Sequence, residues 1–367
     1  MPRIFRPLPF RATARLLSLV FLLCLAALSL GAGRAAAISA MPSHNFVGVR
    51  SAILYDLDND AILFEQNADE PIPPASLTKV LSMFLALDHI SAGHAAFDDT
   101  VRVSRAAART GGSRMGLRNS ERVPLEQLLM GMAVSSGNDA SMAVAEFVGG
   151  SATAFVNMMN VKARLLGMRD SRFSNPHGLP ARGQYTTARD MLTLSRAYLK
   201  AYPWALRFHN TQTLTHRGRV TWNKNPLLGR YPGADGLKTG WINASGYNLI
   251  FTARRGGKRL LAVILGAPDE RMRGSEARRL LDAGFQVCDN QAVSVAAALT
   301  LMPPENDRLN VRKNARHAAR QAAQGSAAVS GRGKAVKSRQ HKNRKTDKQR
   351  ASRQGRQSVQ GARAHAG

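Results

Sequence analysis

The chain has 367 residues, 44% of them hydrophobic and 21% charged, enough to bury one substantial core with at most a small second unit. Its formal net charge of +28 is concentrated at the ends: residues 1–40 carry five arginines and no acid, and residues 311–367 carry 16 Lys and Arg against the single Asp347, a net +15. What remains over residues 41–310 is +8, an ordinary, mildly basic globular domain, which excludes treating the charge as a property of the fold itself.

In chain order, Arg3, Arg6, Arg11 and Arg15 precede an apolar run from Leu16 to Leu30, and small residues lead to Ala35-Ala36-Ala37. This pattern predicts an export signal over residues 1–37, cleaved after Ala37 or Ala40, and an exported protein of the periplasm or cell envelope. A retained membrane anchor is the alternative, although the run is short for a span. Cys24 leaves with the signal, and the remaining Cys288, set after Leu280, Leu281 and Phe285, reads as a buried small hydrophobe without a disulfide partner.

From Phe46 to Glu65, Val47-Gly-Val49, Ala52–Tyr55 and Ala61–Phe64, split by Asp58-Asn59-Asp60, predict two strands around a turn. Pro71, Pro73 and Pro74 end the sheet and deliver the chain to a helix opened at Ser76. Residues 95–124 read as loops and short strands. Leu125, Leu128, Leu129 and Met132 form a helical stripe that stops at Ser135-Ser136-Gly137-Asn138, and a further helix covers about 152–166. Thr187-Ala-Arg-Asp190 resembles a capping box at the start of another helix. Past residue 220 the pattern becomes an antiparallel meander of Gly236–Trp241, Tyr247–Thr252 and Arg259–Leu265, closed by a helix over about 271–286. Strands at both ends with helices between them predict an α/β fold, an antiparallel sheet flanked by helices.

Chemistry concentrates in Ser76-Leu-Thr-Lys79. On a helix, positions i and i+3 share a face, so the amine can reach the serine oxygen and take its proton, giving nucleophile and base. The apolar residues after it, Val80, Leu81, Met83, Phe84, Leu85 and Leu87, leave almost no polar face, so Lys79 is expected to be buried. The unpaired N–H groups of a helix start also favour negative charge developing beside Ser76. Two later stretches complete a set: Ser136-Gly137-Asn138 in an interhelical loop and Lys238-Thr239-Gly240 at a strand start.

With Gly137-Asn-Asp-Ala140, Asn175-Pro-His-Gly-Leu179 and Asp235–Gly240 through Gly246-Tyr-Asn-Leu249, these motifs make the chain resemble the low-molecular-weight penicillin-binding proteins, the serine-type D-alanyl-D-alanine carboxypeptidases. The resemblance covers about residues 45–290. It implies a β-lactamase/DD-peptidase-like fold with a helical subdomain, peptidoglycan stem peptides as substrate, and β-lactams as covalent inhibitors. It further implies that Ser76 attacks the carbonyl of the penultimate D-alanine and that Lys79 is its base, neutral through burial and a second cation, Lys238. Ser136 would relay the proton to the leaving nitrogen, and Asn138 would bond the substrate amide and Lys79. Lys238 and Thr239 would hold the terminal carboxylate, with Arg273 near it, and Gly240 would let the substrate lie along the strand. The oxyanion would meet the N–H groups of Ser76 and Trp241, each donor worth typically ~3 kcal/mol. Trp241 stands where many relatives have a histidine. No metal or cofactor is expected.

A β-lactamase shares the three motifs but needs a base for deacylation, and the only glutamate between Asp139 and Gly236 is Glu146, in an apolar helix. A DD-endopeptidase acting on cross-links would use the same residues, and a non-catalytic envelope-binding protein is the reading from another class. Relatives' β-rich second domain and amphipathic anchor are not expected here. Instead the catalytic domain over 41–290 is followed by a linker, 291–310, and a disordered basic tail, 311–367, suited to an anionic envelope surface and, after export, not to nucleic acid.

Overall fold

The computed structural model describes residues 45–302 and Pro304; the predicted export signal, 1–37, and the predicted basic tail, 311–367, lie outside the described residues. A β-hairpin opens the fold, β1 (Ser51–Asp56) and β2 (Ala61–Gln66). A 3₁₀ turn at Ala75–Leu77 leads into α1 (Thr78–Ser91). A helical region follows, with α2 (Arg105–Arg109), α3 (Leu125–Ala133), α4 (Asn138–Gly149), α5 (Ala152–Leu165), α6 (Ala188–Ala201) and the single turn α7 (Leu206–His209). Short ribbons form between β3 (Thr100–Arg102) and β4 (Arg122–Pro124), and between β5 (Thr213–His216) and β6 (Arg219–Trp222). The chain then returns to the main sheet as β7 (Ala234–Ile242), β8 (Gly246–Arg255) and β9 (Lys258–Ala267), and ends in α8 (Glu270–Cys288) and α9 (Val295–Leu301).

The main sheet has the order β2-β1-β9-β8-β7 and is antiparallel throughout. Both faces are covered, and the period-two geometry of a strand sorts its apolar residues between two cores. Ile53, Tyr55, Leu261, Val263 and Leu265 join α1 and the helical region in one core. Ala52, Leu54, Leu260, Ala262 and Ile264 join Leu280, Leu281 and Phe285 of α8 in the other. Burial on both sides explains why β9 reads as an unbroken apolar run. Since β7 closes one end of the sheet order, its outer edge has no strand partner among the described residues.

The α/β layering, the antiparallel meander and the long helices fall where the sequence places them, with differences at particular points. Val47–Val49 is not strand. The Gln66 side chain takes the Val47 N–H and donates to the oxygens of Val47 and Val49, replacing a ladder. Ser76 sits in the 3₁₀ turn, not in the first turn of α1. Lys238–Gly240 lies in the middle of β7, which begins at Ala234. The segment expected as a linker from 291 contains α9, whose Val295, Ala298 and Leu299, at helical spacing, are buried in the α8 core.

Candidate active site

Four segments meet at Ser76. The turn that carries it is held in part by the Thr78 hydroxyl, which donates to Ala75 O at 2.8 Å. β7 packs directly behind this turn: a Cβ on Gly240 would lie 3.1 Å from Ser76 N and 3.2 Å from Leu77 N, so a glycine here permits the strand's close approach. The α3–α4 loop brings Ser136 and Asn138, and the Asn175–Leu179 loop brings the carbonyl of His177.

Lys79 is fully buried. Its Nζ lies 3.0 Å from Ser76 Oγ, 2.7 Å from Asn138 Oδ1 and 2.7 Å from His177 O. Burial, reinforced by the amines of Lys238 and Lys224 and opposed by Asp139, holds it well below the ordinary lysine value. A neutral amine has two N–H groups and one lone pair. Asn138 Oδ1 and His177 O can only accept, so they take the two N–H groups and leave the lone pair for the Ser76 hydroxyl proton. The arrangement can therefore deprotonate Ser76 without any further base.

Asn138 is fixed from its other end, its Nδ2 donating to Gly111 O at 2.7 Å. Next to it, the buried Asp139 carboxylate accepts the amides of Met115, Gly116 and Leu117 and so pins the 111–117 loop against α4. Ser136 is buried between α3 and α4, with a φ of 57° that an L-residue rarely adopts. Several oxygen contacts hold the Asn175–Leu179 loop: Ser82 Oγ and Ser141 Oγ both donate to Pro176 O, Gly178 N donates to Asn175 Oδ1, and Gln184 Nε2 donates to Leu179 O. His177 has its own ring turned to Leu179 N, and burial with the nearby Lys79 pushes it down to about 4.

Along β7, Lys238 is buried with its Nζ on Thr239 O, and burial together with Lys224 and Arg273 pushes it down to about 7. Arg273, on the first turn of α8, is also buried; its Nη2 meets Glu270 at 2.7 Å, while Nε has no partner. Lys238, Lys224 and Arg273 thus form a positive cluster beside the Ser76 turn, suited to an anion. The Trp241 ring is half exposed and leans on Tyr247, 5.8 Å between centroids.

Ser76, Lys79 and Asn138 are joined by hydrogen bonds, Gly240 touches the Ser76 turn, and Lys238 and Arg273 share one electrostatic cluster. Three contributors escaped the sequence reading. The His177 carbonyl and Gly111 O act through the main chain, so their side chains carry no signal. Lys224 lies in a polar stretch and reaches the site through Ser113, whose Oγ accepts its Nζ at 2.7 Å and whose O accepts Asn138 N; exposed overall, it still has enough protein about its amine for desolvation to lower its pKa.

The fold is that of the serine DD-peptidases. The family model for D-alanyl-D-alanine carboxypeptidase, Peptidase_S11, matches residues 38–269, and the chain belongs to that family. It is 37% identical over 241 residues to the D-alanyl-D-alanine carboxypeptidase DacF of Bacillus subtilis, covering 64% of this chain and 62% of that one. Over 253 residues it is 36% identical to DacC of Escherichia coli, covering 65% and 62%. The chain thus spans somewhat under two thirds of the length of these curated relatives. Among solved structures, penicillin-binding protein 6B of Escherichia coli superposes with a TM-score of 0.64 at 36% identity, over 68% of this chain and 80% of that one. Penicillin-binding protein D2 of Listeria monocytogenes, in its ampicillin-bound form, gives 0.60 at 30% identity, over 65% and 98%.

Proposed function

We propose that this protein is a serine-type D-Ala-D-Ala carboxypeptidase that removes the terminal D-alanine of peptidoglycan pentapeptides and is acylated by β-lactams at Ser76. The observation that carries this reading is the fully buried Lys79 amine, 3.0 Å from Ser76 Oγ and hydrogen-bonded to Asn138 Oδ1 and His177 O, its pKa held well below the ordinary lysine value by burial. Ser76 Oγ attacks the penultimate D-alanine carbonyl as its proton passes to Lys79. The N–H groups of Ser76 and Trp241 receive the oxyanion. Ser136 passes a proton to the leaving nitrogen, and water then hydrolyses the ester. Asn138 orients Lys79 and the substrate amide, the substrate runs along the open edge of β7, and its carboxylate is held by Lys238 and Thr239 with Arg273 close by. The ampicillin-bound relative supports β-lactams as inhibitors.

Purified protein is expected to release D-alanine from a pentapeptide ending in D-Ala-D-Ala, and Ser76→Ala to release none. Equal rates from the two proteins would sink the reading. An enzyme with this substrate works on the outer side of the cytoplasmic membrane, in keeping with the export signal. The +15 tail is proposed to hold it at an anionic envelope surface. Retention on anionic vesicles should then weaken as salt rises, and truncation after Asn310 should abolish retention while leaving acylation intact.

A further inference from the structure

A cavity of about 860 Å³ opens between the C-terminal half of α6, the Pro203–Leu206 turn, the β1–β2 turn and the β8–β9 hairpin. That is the size of a small-molecule site, and none of its lining residues belongs to the segments that meet at Ser76. Its floor is apolar: Leu57, Ala197 and Leu206 pack on the helical core from one side and remain only partly buried on the other.

Four cations line the same cavity, Arg196, Lys200, Arg254 and Arg259, against a single acid, Asp60. Arg259 reaches outside the lining, to Asp235 at 2.8 Å and to Thr252 Oγ1 at 3.1 Å. Arg196 pairs with Asp60 and lies over the Tyr55 ring, 4.1 Å from its centroid. The Tyr55 hydroxyl, then Arg196 and Lys200, hold the Asp60 carboxyl below its ordinary value, so this acid is already shared. Lys200 and Arg254 are exposed, and neither side chain has a hydrogen bond or ion pair among the described residues. Arg196 and Lys200 also stand four residues apart on α6, a like-charge spacing that works against a helix unless an anion lies beside them. Four cations less Asp60 and Asp235 leave two positive charges above an apolar floor.

We propose that this cavity binds a lipid phosphate, a phosphate monoester carried on an apolar chain, with the chain on the Leu57, Ala197 and Leu206 floor and the phosphate between Lys200 and Arg254. Charge selects the head group. A phosphate monoester carries about −1.5 to −2 at pH 7 and matches the surplus, a carboxylate leaves half of it uncompensated, and an ammonium adds to it. The Arg254 guanidinium offers a planar fork of donors suited to two phosphate oxygens, and the Lys200 amine a point charge. The inference does not depend on the reaction proposed for Ser76.

The test is calorimetric titration of the full chain with octyl phosphate, butyl phosphate, inorganic phosphate and octyltrimethylammonium, each below its micelle-forming concentration. Octyl phosphate is expected to bind, and butyl phosphate to bind at least about tenfold more weakly, since each fully buried methylene is worth roughly fourfold. Inorganic phosphate and octyltrimethylammonium should give no binding in the same range. Lys200→Glu and Arg254→Glu, both at exposed positions, should each weaken octyl phosphate about tenfold, with the neutral Lys200→Gln and Arg254→Gln falling between them and wild type. Melting temperature and penicillin acylation should not change in any of the four. No binding of octyl phosphate to wild type overturns the proposal, as does equal binding to wild type and all four variants. Octyltrimethylammonium bound as tightly as octyl phosphate would show an apolar surface without charge selection, and inorganic phosphate bound as tightly would show an ion site without a chain; either result overturns it too.

Discussion

The Lys79 amine donates to the main-chain oxygen of His177 at 2.7 Å, across 98 residues of chain. That contact makes the Asn175–Leu179 loop a wall of the candidate active site through its main chain. Two serine hydroxyls, from Ser82 on α1 and Ser141 on α4, converge on the neighbouring Pro176 carbonyl and set the loop's position. The proton inventory of Lys79 therefore depends on where the loop backbone runs.

Gly178 makes that dependence testable. It has a φ of +86°, and a Cβ there would lie 1.7 Å from Ala75 O, in the turn that carries Ser76. Gly178→Ala should abolish acylation by a fluorescent penicillin, because either the loop or the nucleophile turn must move. Gly183→Ala is the control: its φ is +72°, but nothing lies within 4 Å, so only the backbone cost of about 1 kcal/mol applies and acylation should persist. Equal labelling of the two variants would contradict the assignment.

Gly240 tests the other wall. A Cβ there would be 3.1 Å from Ser76 N and 3.2 Å from Ala75 Cβ, tighter than ordinary packing allows. Gly240→Ala should shift β7 from the Ser76 turn by a few tenths of an ångström. Acylation should fall roughly 10- to 100-fold, as displaced reacting groups do, with a modest change in melting temperature. Unaltered acylation kinetics would show that the strand and the turn are not coupled.

How far the site was legible in the sequence follows from which atoms do the work. Ser76 and Lys79 act through side chains three positions apart, so spacing alone puts them in reach, and the apolar residues after Lys79 signal its burial. The meander was legible because β8 and β9 are apolar runs separated by Arg255-Gly256-Gly257. His177 and Gly111 contribute carbonyl oxygens, which any residue possesses. The ribbon β5–β6 gives little signal in the sequence because its buried residues are only Leu214 and His216 on β5, while the apolar Val220 and Trp222 on β6 are exposed. α9 reads as linker in the sequence because its seven residues, alanine, valine and leucine with one threonine, look like low complexity until α8 is there to receive them.

Lys238 should cost the fold stability in a pH-dependent way. Its folded value, about 7, lies below the ordinary lysine value of 10.5. Between these limits the unfolded chain binds more protons, so wild-type stability rises with pH across that window and the penalty is largest below about 7. Lys238→Met removes the buried charge, whose one hydrogen bond among the described residues is to Thr239 O. In urea unfolding the variant should be more stable than wild type at pH 6, and the gain should shrink by roughly 1.4 kcal/mol for each pH unit above about 7. Penicillin acylation should fall at every pH. A gain that does not vary between pH 6 and pH 9 would refute the linkage.

The penicillin adduct on Ser76 should be long-lived. Hydrolysing an acyl-enzyme requires a base that can take a proton from water once the leaving amine has been trapped, as it is in an opened β-lactam. The carboxylates closest to the site are occupied: Asp139 receives the amides of Met115, Gly116 and Leu117, and Glu270 is paired with Arg273. Glu146, the one glutamate between Asp139 and Gly236, sits on α4 with no hydrogen bond or ion pair to the site among the described residues. His177, pushed down to about 4, is neutral at pH 7, but its ring nitrogen is engaged by Leu179 N. In the proposed mechanism Lys79 is then the base for both halves of the reaction, and its amine is tied to Asn138 and His177. Labelled penicillin mixed with the protein should give a stoichiometric adduct that survives for minutes, and peptide mapping should place it on Ser76. Steady turnover of penicillin at many per second would mean that a base from elsewhere reaches the ester, and the β-lactamase reading would replace this one.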